Sequence, residues 1–227
     1  MRILDRCGAL TGAAYVGLIV VGNALSTDNS PVPRDGHPSG QQDIDYLHWL
    51  AGSVSGQIGL TLELFGFAAF MLFIGYVSTR IRSAGWLSAA ALAGGVVAIA
   101  VKLASGGPIF AAYVLRDTIS PETARVLTDT GATAFVLDWL PTGLFVACAA
   151  GAALASGTVG RVLGWGGVAV GTVAVAATAV TGLHVMGANA LPFLLCLLWI
   201  LAVSVRLGIQ RTSQPVSAAP DSVPVGV

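Results

Sequence analysis

The sequence predicts an all-α fold: a polytopic membrane helix bundle with six transmembrane helices and a short extracytoplasmic helix between spans three and four. The chain is 55% hydrophobic and only 10% charged, whereas soluble domains carry about 25% charged residues. Its apolar residues gather in runs of about 20, the length that crosses a bilayer as a helix. The formal net charge of zero gives no reason to expect a nucleic-acid partner.

Each predicted span is bounded by polar or helix-breaking residues. The first ends before a loop, 26–48, that is rich in Asp, Pro and Gly, and the third is stopped by Gly106, Gly107 and Pro108. The six predicted spans are residues 7–25, 52–78, 84–105, 131–155, 162–183 and 190–205. We therefore expect one transmembrane domain, 1–211, and a disordered cytoplasmic tail, 212–227, rich in Ser, Pro, Ala and Val.

The stretch between spans three and four leaves two alternatives. Residues 109–115 are apolar but too short to span a bilayer, so they either prolong the third helix past a kink or lie at the interface. Ser120, Pro121 and Glu122 then supply the N-cap, first-turn proline and first-turn acid of a helix start. A short helix outside the membrane, 121–129, is expected to lead into the fourth span.

Arginine placement predicts the orientation. Seven of the 11 basic residues lie on one side of the predicted topology: Arg2, Arg6, Arg80, Arg82, Arg161, Arg206 and Arg211. The positive-inside rule puts that side, with both termini, in the cytoplasm. Residues 1–26 also have the basic start, apolar core and small-residue end of a signal peptide. The length of the apolar run and the spacing of Gly8 and Gly12 favour a retained, packed helix.

Four ionisable side chains lie within or at the end of apolar spans: Glu63, Lys102, Asp138 and His184. Charged groups in hydrocarbon are rare and usually face a bundle interior or a cavity. The predicted topology brings all four to the outer half of the membrane. We therefore predict that Glu63, Lys102 and Asp138 are neighbours in an outward-facing polar pocket, with His184 at its rim.

The predicted pocket has two groups of residues. The candidate general acids are Glu63 and Asp138, and the candidate ligand-binding residues are Lys102, His184, Trp139, Gln57 and Asn23. Pro141 lacks an N–H for the carbonyl of Leu137, which indicates a break beside Asp138. Simpler interpretations remain open: Lys102 snorkels to the head groups, Asp138 pairs with it structurally, and His184 is interfacial.

Metal and cofactor chemistry has no signature in this sequence. The three cysteines, Cys7, Cys148 and Cys196, have no metal-binding spacing and lie in or beside apolar segments. No metal and no cofactor is therefore predicted. The expected partners are the lipid bilayer, a lipid-like small molecule and, through homo-oligomerisation, further copies of the chain.

The layout of the chain resembles the DUF4386-type bacterial membrane proteins. The resemblance rests on the long first loop, the helix start at Ser120–Glu122, and the stretch 137–171, whose turn carries Gly160-Arg161-Val162-Leu163-Gly164. It implies a multi-pass protein of the bacterial plasma membrane and names no activity.

Three functions fit these observations. The first is binding of a lipid-like or amphiphilic molecule in the outer pocket. The second is an intramembrane enzyme acting on a lipid or isoprenoid, similar to membrane terpene cyclases, in which Glu63 or Asp138 acts as general acid. The third, a proton-coupled transporter, is disfavoured because the sequence shows no internal repeat and its polar groups occupy one half of the membrane.

Overall fold

The computed structural model describes residues 2–28, 30, 38–183 and 190–209. The helices of that part of the chain are α1 Arg2–Asn23, α2 Gly40–Gly52, α3 Val54–Arg80, α4 Trp86–Leu115, α5 Pro121–Leu137, α6 Trp139–Ala155, α7 Arg161–Leu183 and α8 Leu191–Ile209. A π-helical turn, Ala24–Asp28, continues α1, and a 3₁₀ turn, Arg82–Ala84, joins α3 to α4. The predicted all-α class is confirmed.

Six stretches of the described helices are long and apolar enough to cross a membrane. They are Leu4–Thr27, Val54–Arg80, Trp86–Leu115, Pro121–Ala155, Arg161–Val180 and Leu191–Ile209. The protein is therefore a multi-pass integral membrane protein, and the predicted number of spans is confirmed. The predicted helix at Pro121 exists, but it runs on to Leu137 and joins α6 in a single long span.

The spanning helices form a closed ring. Helix α1 packs against α3 and α8, α3 against α4, α4 against α6, α6 against α7, and α7 against α8. The ring encloses a core that includes the fully buried side chains of Tyr15, Phe70, Phe73, Phe145 and Ile200. The ring of Tyr15 stacks on Phe70 with 4.4 Å between centroids. The interior of the bundle is thus filled mainly by aromatic and aliphatic packing.

Glycines bring α6 and α7 into backbone contact. A Cβ atom added at Gly171 would lie 2.5 Å from the carbonyl oxygen of Gly143, so a larger residue there would force the two helices apart. Gly167, one turn earlier on α7, lies against the indole of Trp199 in α8. That indole donates a 3.0 Å hydrogen bond to the carbonyl of Leu163. Close approach of small residues is the usual basis of helix association in membranes.

A cap covers one end of the ring; it consists of α2, the end of α4 (107–115) and the start of α5 (121–130). Its own apolar cluster contains Tyr46, Leu47, Leu50 and Ala112. The Thr128 hydroxyl in α5 donates to the buried carboxylate of Asp43 in α2, at 3.0 Å. These contacts tie α2 to the two helices beneath it.

Helix length indicates that the cap projects from the bilayer. Helix α4 has 30 residues, which is about 45 Å at 1.5 Å per residue, against a hydrocarbon core of about 30 Å. The opposite end of the ring, here called the arginine end, is marked by Arg6, Arg80, Arg82, Arg161 and Arg206. The cap carries the acidic side chains Asp45, Glu122 and Asp129, which suit exposure to water.

The sequence analysis missed α2, although a signal for it exists. Ser39 accepts a hydrogen bond from the Gln42 N–H at 3.2 Å, and the Gln42 side chain accepts one from the Ser39 N–H at 2.7 Å. This capping box is the Ser-x-x-Gln pattern that starts many helices. The polar composition of the loop concealed it.

Replacing Ser39 with alanine is expected to destabilise α2 by about 1 kcal/mol, because the Gln42 N–H loses its side-chain acceptor. Hydrogen exchange at the amides of the first turn of α2 should accelerate about fivefold, which is that free energy expressed as a rate ratio. Ser83→Ala, at an exposed serine near the arginine end, is the matched control. Unchanged exchange in Ser39→Ala would contradict the assigned cap.

Candidate functional site

Asp138 lies at the break between α5 and α6. Helix α5 ends at Leu137, and α6 begins at Trp139 with Pro141 in its first turn. The Thr142 N–H still donates to the Asp138 carbonyl at 3.0 Å. Proline cannot supply the corresponding bond to Leu137. The break occurs where the sequence predicts it, and it places a carboxylate at a bend in the middle of the longest span.

Asp138 forms a buried ion pair with Lys102 of α4. The ammonium of Lys102 donates directly to Oδ2 of Asp138. The Thr142 hydroxyl, one turn further along α6, donates to the same oxygen at 3.0 Å. Lys102 is 2% exposed and Asp138 is fully buried. The interpretation that Lys102 snorkels to the head groups is therefore wrong, and its pairing with Asp138 is confirmed.

Two aromatic rings enclose the Lys102 ammonium. Its Nζ lies 5.4 Å from the ring centroid of Phe135 in α5 and 4.9 Å from that of Phe193 in α8. The two rings meet edge to face with 5.2 Å between centroids. Cations at such distances are attracted to the ring faces, most strongly where water is excluded. Helices α4, α5, α6 and α8 thus all contribute to one site.

Two buried polar atoms, on Asp138 and on the residue after it, have no hydrogen-bond partner among the described residues. One is Oδ1 of Asp138, although Oδ2 of the same carboxylate accepts two bonds. The other is the indole Nε1 of the adjacent Trp139, which is 3% exposed. Buried polar atoms are nearly always hydrogen-bonded. An unbonded acceptor and an unbonded donor on consecutive residues therefore need an explanation.

Tyr15 of α1 and Cys196 of α8 complete the surroundings of the pair. Both side chains are 1% exposed. Both lie in the neighbourhood of Asp138. The sequence analysis did not include Tyr15 in the site, because nothing local connects α1 with the fourth span.

Glu63 is held elsewhere. The Ser26 hydroxyl, in the π-helical turn after α1, donates to Oε1 of Glu63 at 2.9 Å. Among the described residues Glu63 forms no ion pair, so the prediction that it neighbours Lys102 and Asp138 is not supported. The structure instead has two separate polar sites, one in the core and one between α1 and α3.

The two sites nevertheless share one depth. Glu63 lies 17 residues from Arg80, Lys102 lies 16 from Trp86, and Asp138 lies 17 from Ala155. Each is therefore about 25 Å from the arginine end. Lys102 is also 13 residues, about 20 Å, from the end of α4 at Leu115, because that helix continues through Pro108. The third helix therefore does not end shortly after Lys102, as the predicted span 84–105 implied.

Gln57 and Asn23 are not brought to the ion pair. Gln57 is exposed, and its amide donates to the Ala51 carbonyl at 2.6 Å. Asn23 is exposed at the end of α1. His184 lies outside the described residues. Of the five predicted ligand-binding residues, Lys102 belongs to the buried ion pair, and Trp139 is buried next to Asp138 in the sequence.

No protein-family model, curated protein or solved structure matches this chain. The likeness to the DUF4386-type family therefore stays a prediction from the sequence.

Proposed function

We propose that the protein binds a neutral amphiphile with a hydroxyl-bearing head group at the Lys102–Asp138 pair. The observation that carries this proposal is the buried Asp138 Oδ1, which has no hydrogen-bond partner among the described residues, while Oδ2 of the same carboxylate accepts two bonds. A buried acceptor left unbonded costs about 1–3 kcal/mol. A bound hydroxyl would remove that cost by donating to Oδ1.

Charge balance favours a neutral ligand over an ionic one. The ammonium of Lys102 and the carboxylate of Asp138 already neutralise each other inside the bundle. A further anion or cation would introduce an uncompensated charge at a site without exposure to water, which is costly. A hydroxyl adds no charge, and it can accept a hydrogen bond from the Lys102 ammonium as well as donate one to Oδ1 of Asp138.

The aromatic residues suit the apolar part of such a molecule. Phe135 and Phe193 flank the ammonium, and Phe193 also packs against the apolar core. A ligand whose hydroxyl reaches Asp138 would lay its chain against these rings. With the arginine end in the cytoplasm, as the charge distribution predicts, the head group would sit in the outer half of the bilayer.

The test is identification of lipid that co-purifies with the native protein. Mass spectrometry of the extracted lipid is expected to find a neutral, hydroxyl-bearing amphiphile in stoichiometric amount. The double variant Lys102→Met/Asp138→Leu removes both charges together, which buried ion pairs often tolerate. It is expected to lose the amphiphile at least tenfold while remaining folded.

The matched control is a second cation–acid pair. Arg125 and Asp129 approach to 3.5 Å in α5, and both side chains are exposed. The variant Arg125→Met/Asp129→Leu should retain the amphiphile at the native level. Equal lipid content in native protein and the Lys102→Met/Asp138→Leu variant would overturn the proposal, as would a native protein that carries no such lipid.

A further inference from the structure

The contact between α1 and α3 contains an acidic side chain, Glu63, that is not part of the Lys102–Asp138 site. Glu63 is half-buried, and it lies on the face of α3 that carries Gly59 and Gly66 against α1. A Cβ atom added at Gly22 of α1 would lie 2.8 Å from Cγ of Glu63 and 2.9 Å from the Gly59 carbonyl oxygen. The two backbones approach closely here, so the carboxyl group is confined to the side of Ser26.

Glu63 has no cationic partner among the described residues. Lys102 of α4 lies at the same depth, but its ammonium is paired with Asp138. Helix α1 has no titratable side chain between Tyr15 and the π-helical turn, and the turn itself carries Asp28. A charged group without a counter-ion is expensive inside a membrane. A carboxyl group avoids this expense by binding a proton.

Ser26 can satisfy Glu63 in both protonation states. Its hydroxyl has two acceptors within reach, Oε1 of Glu63 at 2.9 Å and the Asn23 carbonyl at 3.4 Å, but only one hydrogen to give. With Glu63 ionised, Ser26 donates to the carboxylate. With Glu63 protonated, the carboxyl O–H donates to the Ser26 oxygen, and Ser26 turns its hydrogen to Asn23.

The π-helical turn places Ser26 where this exchange needs it. Such turns are rare and are found frequently at functional sites. The turn is held from the cap side by Tyr46 of α2, whose hydroxyl donates to the Ser26 carbonyl at 2.9 Å. Tyr46 is also the titratable side chain that α2 brings to the turn. The serine is therefore fixed through its backbone while its hydroxyl stays free to rotate.

We propose that Glu63 and Ser26 form a reversible proton-binding site between α1 and α3, separate from the Lys102–Asp138 site. Protonation adds one proton to the Glu63 carboxylate, and deprotonation returns it to an aqueous base. On protonation of Glu63, the Ser26 hydroxyl changes its hydrogen-bond acceptor from Glu63 to the Asn23 carbonyl. The site thus connects proton binding to the junction between α1 and the cap.

Reaction with dicyclohexylcarbodiimide tests this proposal, because the apolar reagent modifies protonated carboxyl groups within membranes. In liposomes, peptide mass spectrometry is expected to find the label on Glu63. The labelled fraction should fall about tenfold per pH unit above its midpoint, as for a single titrating group. Asp28→Asn should retain the label, and so should Lys102→Met/Asp138→Leu if the two sites are separate.

Ser26→Ala supplies a second readout. Hydrogen bonds to an ionised acceptor are stronger than those of neutral pairs, so loss of the serine hydroxyl should penalise the carboxylate more than the acid. The midpoint for labelling of Glu63 is therefore expected to move to higher pH. Absence of label on Glu63 at every pH, or labelling that does not change with pH, would overturn the proposal. Both outcomes leave the test of the Lys102–Asp138 site unaffected.

Discussion

Replacing Lys102 with methionine is expected to destabilise the folded protein by about 3–5 kcal/mol, because it leaves the Asp138 carboxylate charged and unpaired in the core. Asp138 is fully buried, and among the described residues its remaining hydrogen bond comes from the Thr142 hydroxyl. The measurement is a denaturant titration in mixed micelles, followed by tryptophan fluorescence. The double variant Lys102→Met/Asp138→Leu should recover most of the loss.

An exposed cation provides the comparison. Arg82 lies in the exposed 3₁₀ turn between α3 and α4, and Arg82→Met should change the free energy of unfolding by no more than about 0.5 kcal/mol. The contrast separates loss of a buried partner from loss of a positive charge in general. If Lys102→Met is as stable as the native protein, the ion pair does not hold the charges as described.

Replacing Gly59 with leucine is expected to separate α1 from α3 and to destabilise the protein by about 1–3 kcal/mol. A Cβ atom at this position would lie 2.6 Å from the Gly22 carbonyl oxygen and 2.7 Å from the Ser26 N–H nitrogen. Both obstacles are backbone atoms, so a rotamer change does not relieve the clash. The same titration in mixed micelles measures the effect.

Gly75 is the matched control on the same helix. No atom of the described residues lies within 4 Å of a Cβ atom added there, so Gly75→Leu should leave the packing of α3 intact. Leucine has a higher helix propensity than glycine, so this variant can even stabilise the helix slightly. Equal stability of Gly59→Leu and Gly75→Leu would contradict the close approach of α1 and α3.

The sequence predicted the membrane spans well because their signal is local. Hydrophobic runs and the residues that interrupt them are visible in windows of about 20 residues. Pro108 shows the limit of this reasoning: it was expected to stop or kink the third span, but α4 continues through it to Leu115. Proline is tolerated within membrane helices when the freed backbone groups find other partners. That depends on neighbouring helices, which the local pattern does not contain.

The sequence predicted the depth of the candidate residues in the membrane, but not which of them are neighbours. Counting residues placed Glu63, Lys102 and Asp138 at one depth, and the structure agrees. Depth does not determine which way a helix faces, and Glu63 faces α1 while the other two meet in the core. Phe135 and Thr142, three and four residues from Asp138, could have been found from helical spacing.

Phe193 and Tyr15 could not be found in that way, because they reach the site from the two ends of the sequence. Helix α1 is made first and α8 last, yet these helices lie side by side and close the ring. During synthesis the earlier helices can pair in order of emergence, as α3 does with α1 and α7 with α6. The wall that carries Phe193 arrives only after the rest of the bundle is in the membrane. Contacts so distant in sequence form slowly. Helix α8 therefore completes the bundle, and a chain arrested before α8 would leave the Lys102–Asp138 pair uncovered on one side.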